Sequence, residues 1–254
     1  MWPRLAVAFV VLLGGLIAAG LVLTRVADDS AIVETDLAVE EELAENRTDA
    51  LDTFTEGSNW LAETVPVAVI LLVAIAATWR LSGVAVVPVF IALAVGGEKL
   101  IYLLTSLAVD RERPPVETVG ETQADTSFPS GHTASAITLY VGLALVLTLS
   151  RSVMARRLLI VVAAVIVALV GFARLYRGFH YPTDVAAGIV LGVGWLAVVH
   201  RSLLGRGRPD AGLDRSPEAE QSAAERDRAE REPRPPDGQP GEHVGEPMDA
   251  EQHP

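Results

Sequence analysis

Residues 129–149 read PSGHTASAITLYVGLALVLTL. Pro129, Ser130, Gly131 and His132 stand directly before an uncharged run, Thr133–Leu149, that reads as a membrane helix. The run is shorter than the ~20 residues a span takes, and flanking residues complete it. The polar cluster then falls at a helix N-terminus, where unpaired backbone N–H groups and the positive dipole end attract an anion. A histidine at such a boundary is costly unless it has a task.

Outward from this stretch the same arrangement recurs on both sides. Upstream, Arg113-Pro114 closes an apolar run, Leu81–Val95, that continues past Glu98 and Lys99 to Val109. Downstream, Arg174-x5-His180-x3-Asp184 lies between the runs Leu158–Ala173 and Val185–Val199. Two further runs, Leu5–Leu23 and Val65–Trp79, bring the expected number of spans to six. The expected fold is an all-α, six-transmembrane-helix bundle. It divides into a first transmembrane helix in residues 1–26, an acidic extracytoplasmic helical segment at 27–64, a membrane core at 65–200 and a disordered C-terminal tail at 201–254. A cleaved signal peptide is the alternative for the first run, since Arg4 precedes it; its length and the five runs that follow favour a retained helix.

Charge is segregated. The net charge of −12 sits in residues 28–63, with twelve acids against Arg47, and in the tail from Arg201, with thirteen acids against eight arginines. No basic surface is left for nucleic acid. The chain has no cysteine, so disulfides and thiolate metal sites are excluded. Residues 28–63 place Leu37, Leu43, Leu51, Phe54, Trp60 and Leu61 among acids and alanines, a pattern expected of one or two amphipathic helices lying over the outer surface, with a solvated acidic spacer as the alternative. From about Gly205 the tail is rich in Pro, Glu, Arg and Asp with almost no large apolar residues, and it is expected to be disordered.

Short-loop arginines mark the cytoplasmic side. Arg4, Arg80, the group Arg151, Arg156 and Arg157, and the group Arg201, Arg206 and Arg208 alternate with successive spans. Both termini are therefore expected in the cytoplasm, and all three polar clusters on the extracytoplasmic face of the cell membrane. Arg25 breaks the pattern.

The clusters carry the parts of a phosphoryl-transfer site. Transferring a phosphoryl group is mostly positioning and charge stabilisation, and arginine binds two oxygens in its plane. Arg113, Arg174, Ser130 and Gly131 form a candidate phosphate cradle, with Gly131 leaving room for close approach to the backbone. Asp184 stands where it can hold one imidazole N–H of His180 and leave the other nitrogen as nucleophile. His132 is placed as the acid for the leaving oxygen. No metal or cofactor is expected, because the arginines supply the positive charge. Singly, each residue has a plainer reading: Ser130 as a helix cap, the arginines snorkelling to lipid, His180 within an aromatic belt with Tyr176, Phe179 and Tyr181. Their joint occurrence on one inferred face selects the phosphate site.

The sequence resembles the type 2 phosphatidic acid phosphatase family, which shares its site with vanadium haloperoxidases. The family pattern is Lys-x6-Arg-Pro, Pro-Ser-Gly-His and Ser-Arg-x5-His-x3-Asp. The second is intact at 129–132, and the third runs from Ala173-Arg174 through His180 to Asp184. The resemblance implies His180 as nucleophile, His132 as acid, Asp184 as orienting carboxylate, and Arg113, Arg174, Ser130 and Gly131 as phosphate ligands. It departs at the first motif, where Ser106 holds the lysine position. Lys99 lies roughly 10 Å further along the helix axis and is expected not to substitute; Arg111 is the candidate substitute cation. The implied activity is metal-independent hydrolysis of a lipid phosphate or diphosphate, of undecaprenyl diphosphate, phosphatidylglycerophosphate or phosphatidic acid type. The alternatives are a phosphoryl transferase using the same site and, given Ser106, an impaired lipid-phosphate binder.

Overall fold

A computed structural model describes residues 2–27, 30–82, 84–120, 126–148 and 152–205, and every regular element among them is helical. The helices are α1 (Trp2–Arg25), α2 (Ala31–Glu45), α3 (Asp49–Trp60), α4 (Thr64–Ser82), α5 (Val86–Ala108), α6 (Gly131–Ala136), α7 (Gly142–Leu147), α8 (Val153–Tyr176) and α9 (Pro182–Leu203). A π-helical turn, Ile137–Val141, joins α6 to α7. Such turns often sit near functional sites, and this one lies one turn beyond His132.

Four helices, α1, α5, α8 and α9, are each long and apolar enough to cross a membrane. Of the other two expected spans, α4 reaches that measure only as a bent pair with α3, at 42°, and Gly131–Leu147 is a shorter apolar helix. The tail expectation lies, from residue 206 onward, outside the described residues; α9 itself continues past residue 200 to Leu203.

Proline at the first position of α9 and the Thr48 and Ser152 hydroxyls capping α3 and α8 start these helices where their sequences place them. Helix α9 is central and packs on α1, α5 and α6. Its small residues let neighbours come close: a Cβ on Gly188 would lie 2.5 Å from the Ser130 carbonyl oxygen, and one on Gly192 2.8 Å from Ile137 Cβ. The apolar core gathers Phe90, Ile101, Leu191, Trp195 and Val199 with Leu16 of α1. Trp195 Nε1 donates to the Leu93 carbonyl at 2.9 Å, a bond that keeps its one polar atom satisfied inside this core. The end of α5, the start of α6, the end of α8 and the start of α9 meet at one end of the bundle, where Ser130 N–H donates to the Asp184 carbonyl at 2.9 Å.

Residues 31–60 form two helices, but their most buried positions are polar, while Leu37 and Leu43 are half-buried. The buried residues of α2 are Asp36 and Glu40, and those of α3 are Thr55, Ser58 and Asn59. Leu51, Phe54 and Trp60, expected to face inward, are exposed. The reason is the surface beneath, which presents buried arginines that demand polar partners rather than an apolar stripe.

Two stability measurements in detergent follow. Gly188→Ala forces α9 off the Ser130 backbone and lowers stability by about 1–3 kcal/mol, a drop of several degrees in the unfolding midpoint; Gly14→Ala, with open space around it, leaves the midpoint in place. Glu40 is wholly buried with neither carboxylate oxygen hydrogen-bonded, and burial, with Asp184 adding repulsion, raises its pKa to about 8. From the ordinary value of 4.5 up to about 8 the folded protein holds a proton that the unfolded chain releases, so this group makes stability fall as pH rises. Glu40→Gln removes that slope: its unfolding midpoint exceeds wild type at pH above 8, and the gap narrows toward pH 5.

Candidate active site

Arg174 lies in the last turn of α8, His180 in the turn between α8 and α9, His132 in the first turn of α6, and Arg113 in the segment after α5. They converge on one cavity of about 220 Å³, lined by Asn59, Glu63, Thr64, Lys99, Tyr102, Arg113, Gly131, His132, Arg174 and His180. The widely separated segments are held together by backbone carbonyls. Arg113 Nη1 donates to the Phe179 carbonyl, and the His180 ring meets the Ser127 carbonyl.

That last contact decides the state of the imidazole. His180 Nδ1 lies 2.7 Å from the Ser127 carbonyl oxygen, which only accepts, so Nδ1 carries the proton and Nε2 keeps its lone pair. Asp184, expected to take this N–H, has its nearer oxygen 3.7 Å away, outside hydrogen-bond range. Its carboxylate instead accepts the Tyr181 N–H at 2.9 Å and Arg111 Nη1 at 2.5 Å. It acts on the ring through its charge and by fixing the start of α9. Burial lowers the His180 pKa to about 4, with the cations Arg174 and Arg113 pushing the same way and Asp184 opposing. The ring is therefore neutral at physiological pH, the state a nucleophile needs.

Arg174 is 5% exposed. Nη1 donates to Asn59 Oδ1 at 2.5 Å, the guanidinium stacks 4.2 Å from the Phe179 ring, and Nε is buried with no partner. An unpaired buried donor is costly, and an anion in the adjoining cavity is the group that fits it. Ser130 occupies the N-cap position of α6, but its hydroxyl pairs with the Thr133 hydroxyl at 3.0 Å and is wholly buried away from the cavity lining. Gly131 does line the cavity; a Cβ there would lie 2.7 Å from the Tyr102 ring. Close approach of Tyr102, rather than of phosphate alone, requires the glycine.

The first motif resolves differently from the expectation. Lys99, set aside on distance, lines the cavity, with its Nζ 5.5 Å from the Tyr102 ring centroid. Ser106 does not line it, and its hydroxyl turns back to the Leu103 carbonyl at 3.0 Å. Arg111, the candidate substitute cation, is not among the lining residues either; its guanidinium pairs with Asp36 at 2.8 Å and Asp184 at 2.5 Å. The cavity reaches two turns down α5, so the cation that serves it stands two turns down as well. Asn59, Glu63, Tyr102 and Ser127 escaped the sequence reading. Only the position of Asn59 and Glu63 one turn apart on a polar face offered a signal, and that face was expected to look outward.

Behind the cavity, Glu98 of α5 is wholly buried and accepts the Ser135 hydroxyl at 3.0 Å. This polar contact fastens α5 to the helix that carries His132.

Comparison with known proteins agrees with this geometry. The PAP2 superfamily model matches residues 68–208, more than half of the chain. Phosphatidylglycerophosphatase B of Bacillus subtilis (strain 168) is 31% identical over 100 residues, 39% of this chain and 49% of that protein, so the chain spans about half the length of the curated relative it matches. Among solved structures, a transmembrane PAP2-type phosphatidylglycerolphosphate phosphatase from Bacillus subtilis superposes with a TM-score of 0.69 at 23% identity, covering 78% of this chain and 99% of that one. Aquifex aeolicus LpxE superposes with a TM-score of 0.52 at 22% identity, covering 65% and 94%. At such identities these two likenesses are of fold. The family match, the apolar helices and the convergence of both motifs on one cavity together place the chain: it belongs to the PAP2 superfamily, as an integral membrane member.

Proposed function

We propose that this protein is a membrane lipid phosphatase that hydrolyses a phosphomonoester or diphosphate lipid through a phosphohistidine intermediate. One observation carries the reading: Arg113, Arg174, Lys99, His132 and His180, from four separate parts of the chain, line a single cavity. The cations hold the phosphate oxygens and supply the charge stabilisation that transfer needs. His180 Nε2 attacks phosphorus while His132 donates a proton to the leaving oxygen. Water then attacks the phosphohistidine, with His132 as base, and releases phosphate. Lys99 gives the cavity a third cation, which supports turnover over the reading as an impaired binder. Undecaprenyl diphosphate, phosphatidylglycerophosphate and phosphatidic acid types are the substrate candidates.

The arginine pattern supports six spans, cytoplasmic termini and a site on the outer face of the cell membrane, beneath an extracytoplasmic segment 27–64. Since the chain has no cysteine, single introduced cysteines report this directly. A membrane-impermeant maleimide applied to intact cells labels Gly57→Cys and leaves Arg80→Cys unlabelled; the opposite pattern inverts the topology.

The activity test is phosphate release from each lipid by purified protein in detergent, with chelator present. Wild type turns over at least one lipid, His180→Ala loses at least ~1,000-fold in kcat, and Lys99→Ala loses roughly 10-fold or more in kcat/KM, as loss of a charge-assisted contact implies. A wild type inert on all three lipids, or a fully active His180→Ala, overturns the reading.

A further inference from the structure

A buried charged cluster lies outside the phosphate cavity. Asp36 of α2, Arg111 after α5, and Thr183 and Asp184 at the start of α9 form it, and Asp36, Arg111 and Asp184 are 2%, 6% and 0% exposed. Arg111 Nη1 donates to Asp184 Oδ1 at 2.5 Å and to Thr183 Oγ1 at 2.7 Å, and Nη2 donates to Asp36 Oδ2 at 2.8 Å. Asp36 Oδ1 accepts the Thr183 N–H at 3.0 Å, and its other oxygen accepts the Thr183 hydroxyl. The guanidinium is stacked 4.2 Å from the Tyr181 ring centroid. Both edges of the planar fork are thus fixed, one on each carboxylate.

Taking such charges out of water costs several kcal/mol per ion, and apolar side chains of similar volume commonly pack as well or better. The cluster is aimed at one functional group. Asp184 is the carboxylate 3.7 Å from His180 Nδ1, and Arg111 and Asp36 determine how that carboxylate is held and how much of its charge the ring feels. Asp36 also ties α2, which lies before the family-matched residues 68–208, to the first turn of α9.

We propose that Asp36 is a positioning residue, acting through Arg111 on Asp184 to set the orientation and basicity of His180. This rests on the reading of His180 as the nucleophile. The charges alternate outward from the ring: Asp184 negative, Arg111 positive, Asp36 negative. Removing the outer negative charge leaves Arg111 to offset Asp184 more completely, so His180 binds a proton less readily. Removing Arg111 frees the Asp184 charge, so His180 binds a proton more readily. The two substitutions therefore move one ring in opposite directions, which loss of packing does not do.

The other groups around this path are constant across the comparison. Arg113 and Arg174 face His180 from the segment after α5 and from α8, His132 faces it from α6, and Lys99 of α5 and Glu63 before α4 line the same cavity. Glu40, one turn beyond Asp36, has its pKa raised to about 8 and is neutral over the pH range in which the ring titrates. Arg47, which faces Glu40, is held by the Tyr176 and Glu117 carbonyls.

The experiment is NMR titration of histidine-labelled full-length protein in detergent micelles, with the His180 signal identified by its loss in His180→Gln. Wild type, Asp36→Asn and Arg111→Gln are compared, alongside kcat and KM for phosphatidic acid. The expected result is a His180 midpoint lowered in Asp36→Asn and raised in Arg111→Gln, each by about half a pH unit or more. With it, kcat falls roughly 10- to 100-fold with little change in KM. Asp36→Glu retains the charge and restores most of both, and it carries the test with Asp36→Asn if Arg111→Gln fails to fold. Midpoints that stay at the wild-type value, or that move the same way, overturn the proposal. Because titration needs no turnover, a wild type inert on lipid refutes the proposed activity alone, whereas an active wild type with unmoved midpoints refutes the positioning role alone.

Discussion

Buried positive charge at one end of an apolar bundle is the constraint from which the rest of this structure follows. Arg111, Arg174 and Arg177 are each less than a tenth exposed, and a buried cation without a partner is strongly destabilising. The partners come mainly from residues 31–60. Asp36 serves Arg111, Asn59 serves Arg174, and the Asp52 carbonyl serves Arg177 at 3.3 Å. Arg47 reaches the other way, to the Tyr176 carbonyl at 3.1 Å. Helices α2 and α3 are therefore attached by hydrogen bonds and ion pairs. Leu51, Phe54 and Trp60 point outward on α3 because its polar residues are needed inside.

That constraint also explains which parts of the protein could be read from its sequence. The helical class, the intact Pro129–His132 motif and the third motif, complete from Arg174 onward, were legible because each depends on residues close together: an apolar run, a four-residue cluster, the spacing from Arg174 to His180 to Asp184. Hydrophobic periodicity misled at α2 and α3 because it presumes an apolar surface underneath, and Arg111 and Arg174 are seen to lie underneath only once the chain is folded. Ser127 was invisible for another reason. It contributes a backbone carbonyl, and any residue at that position carries one. Lys99 was misjudged by counting from Arg113 along one helix, when the distance that matters runs across a cavity to a different element.

The state of the His180 ring is set by a balance that no single residue controls. A histidine beside a carboxylate in water becomes more basic. His180 becomes less basic, because burial outweighs Asp184 and two arginines add to burial. The Ser127 carbonyl then fixes which nitrogen is free. A neutral ring with a defined lone pair thus exists before substrate arrives, and a phosphate entering the cavity brings negative charge that offsets the arginines. In the proposed reaction, the same anion relieves part of the repulsion that keeps the ring neutral, which would favour the positive phosphohistidine.

Displacing the third cation to Lys99 changes where positive charge lies in the cavity. Arg113 sits in the segment at the end of the bundle, whereas Lys99 enters from two turns inside α5, beside Tyr102. Tyr102 in turn closes on Gly131, at the helix N-terminus that presents backbone N–H groups to an anion. Glycine at 131, tyrosine at 102 and lysine at 99 are therefore one arrangement. The glycine admits the ring, and the ring flanks the Lys99 amino group where it enters the cavity. A lysine at 106 would gain nothing from that arrangement, because the Ser106 side chain does not face the cavity. Serine at 106 and lysine at 99 are then two sides of one geometric choice, made by how far down α5 the cavity extends.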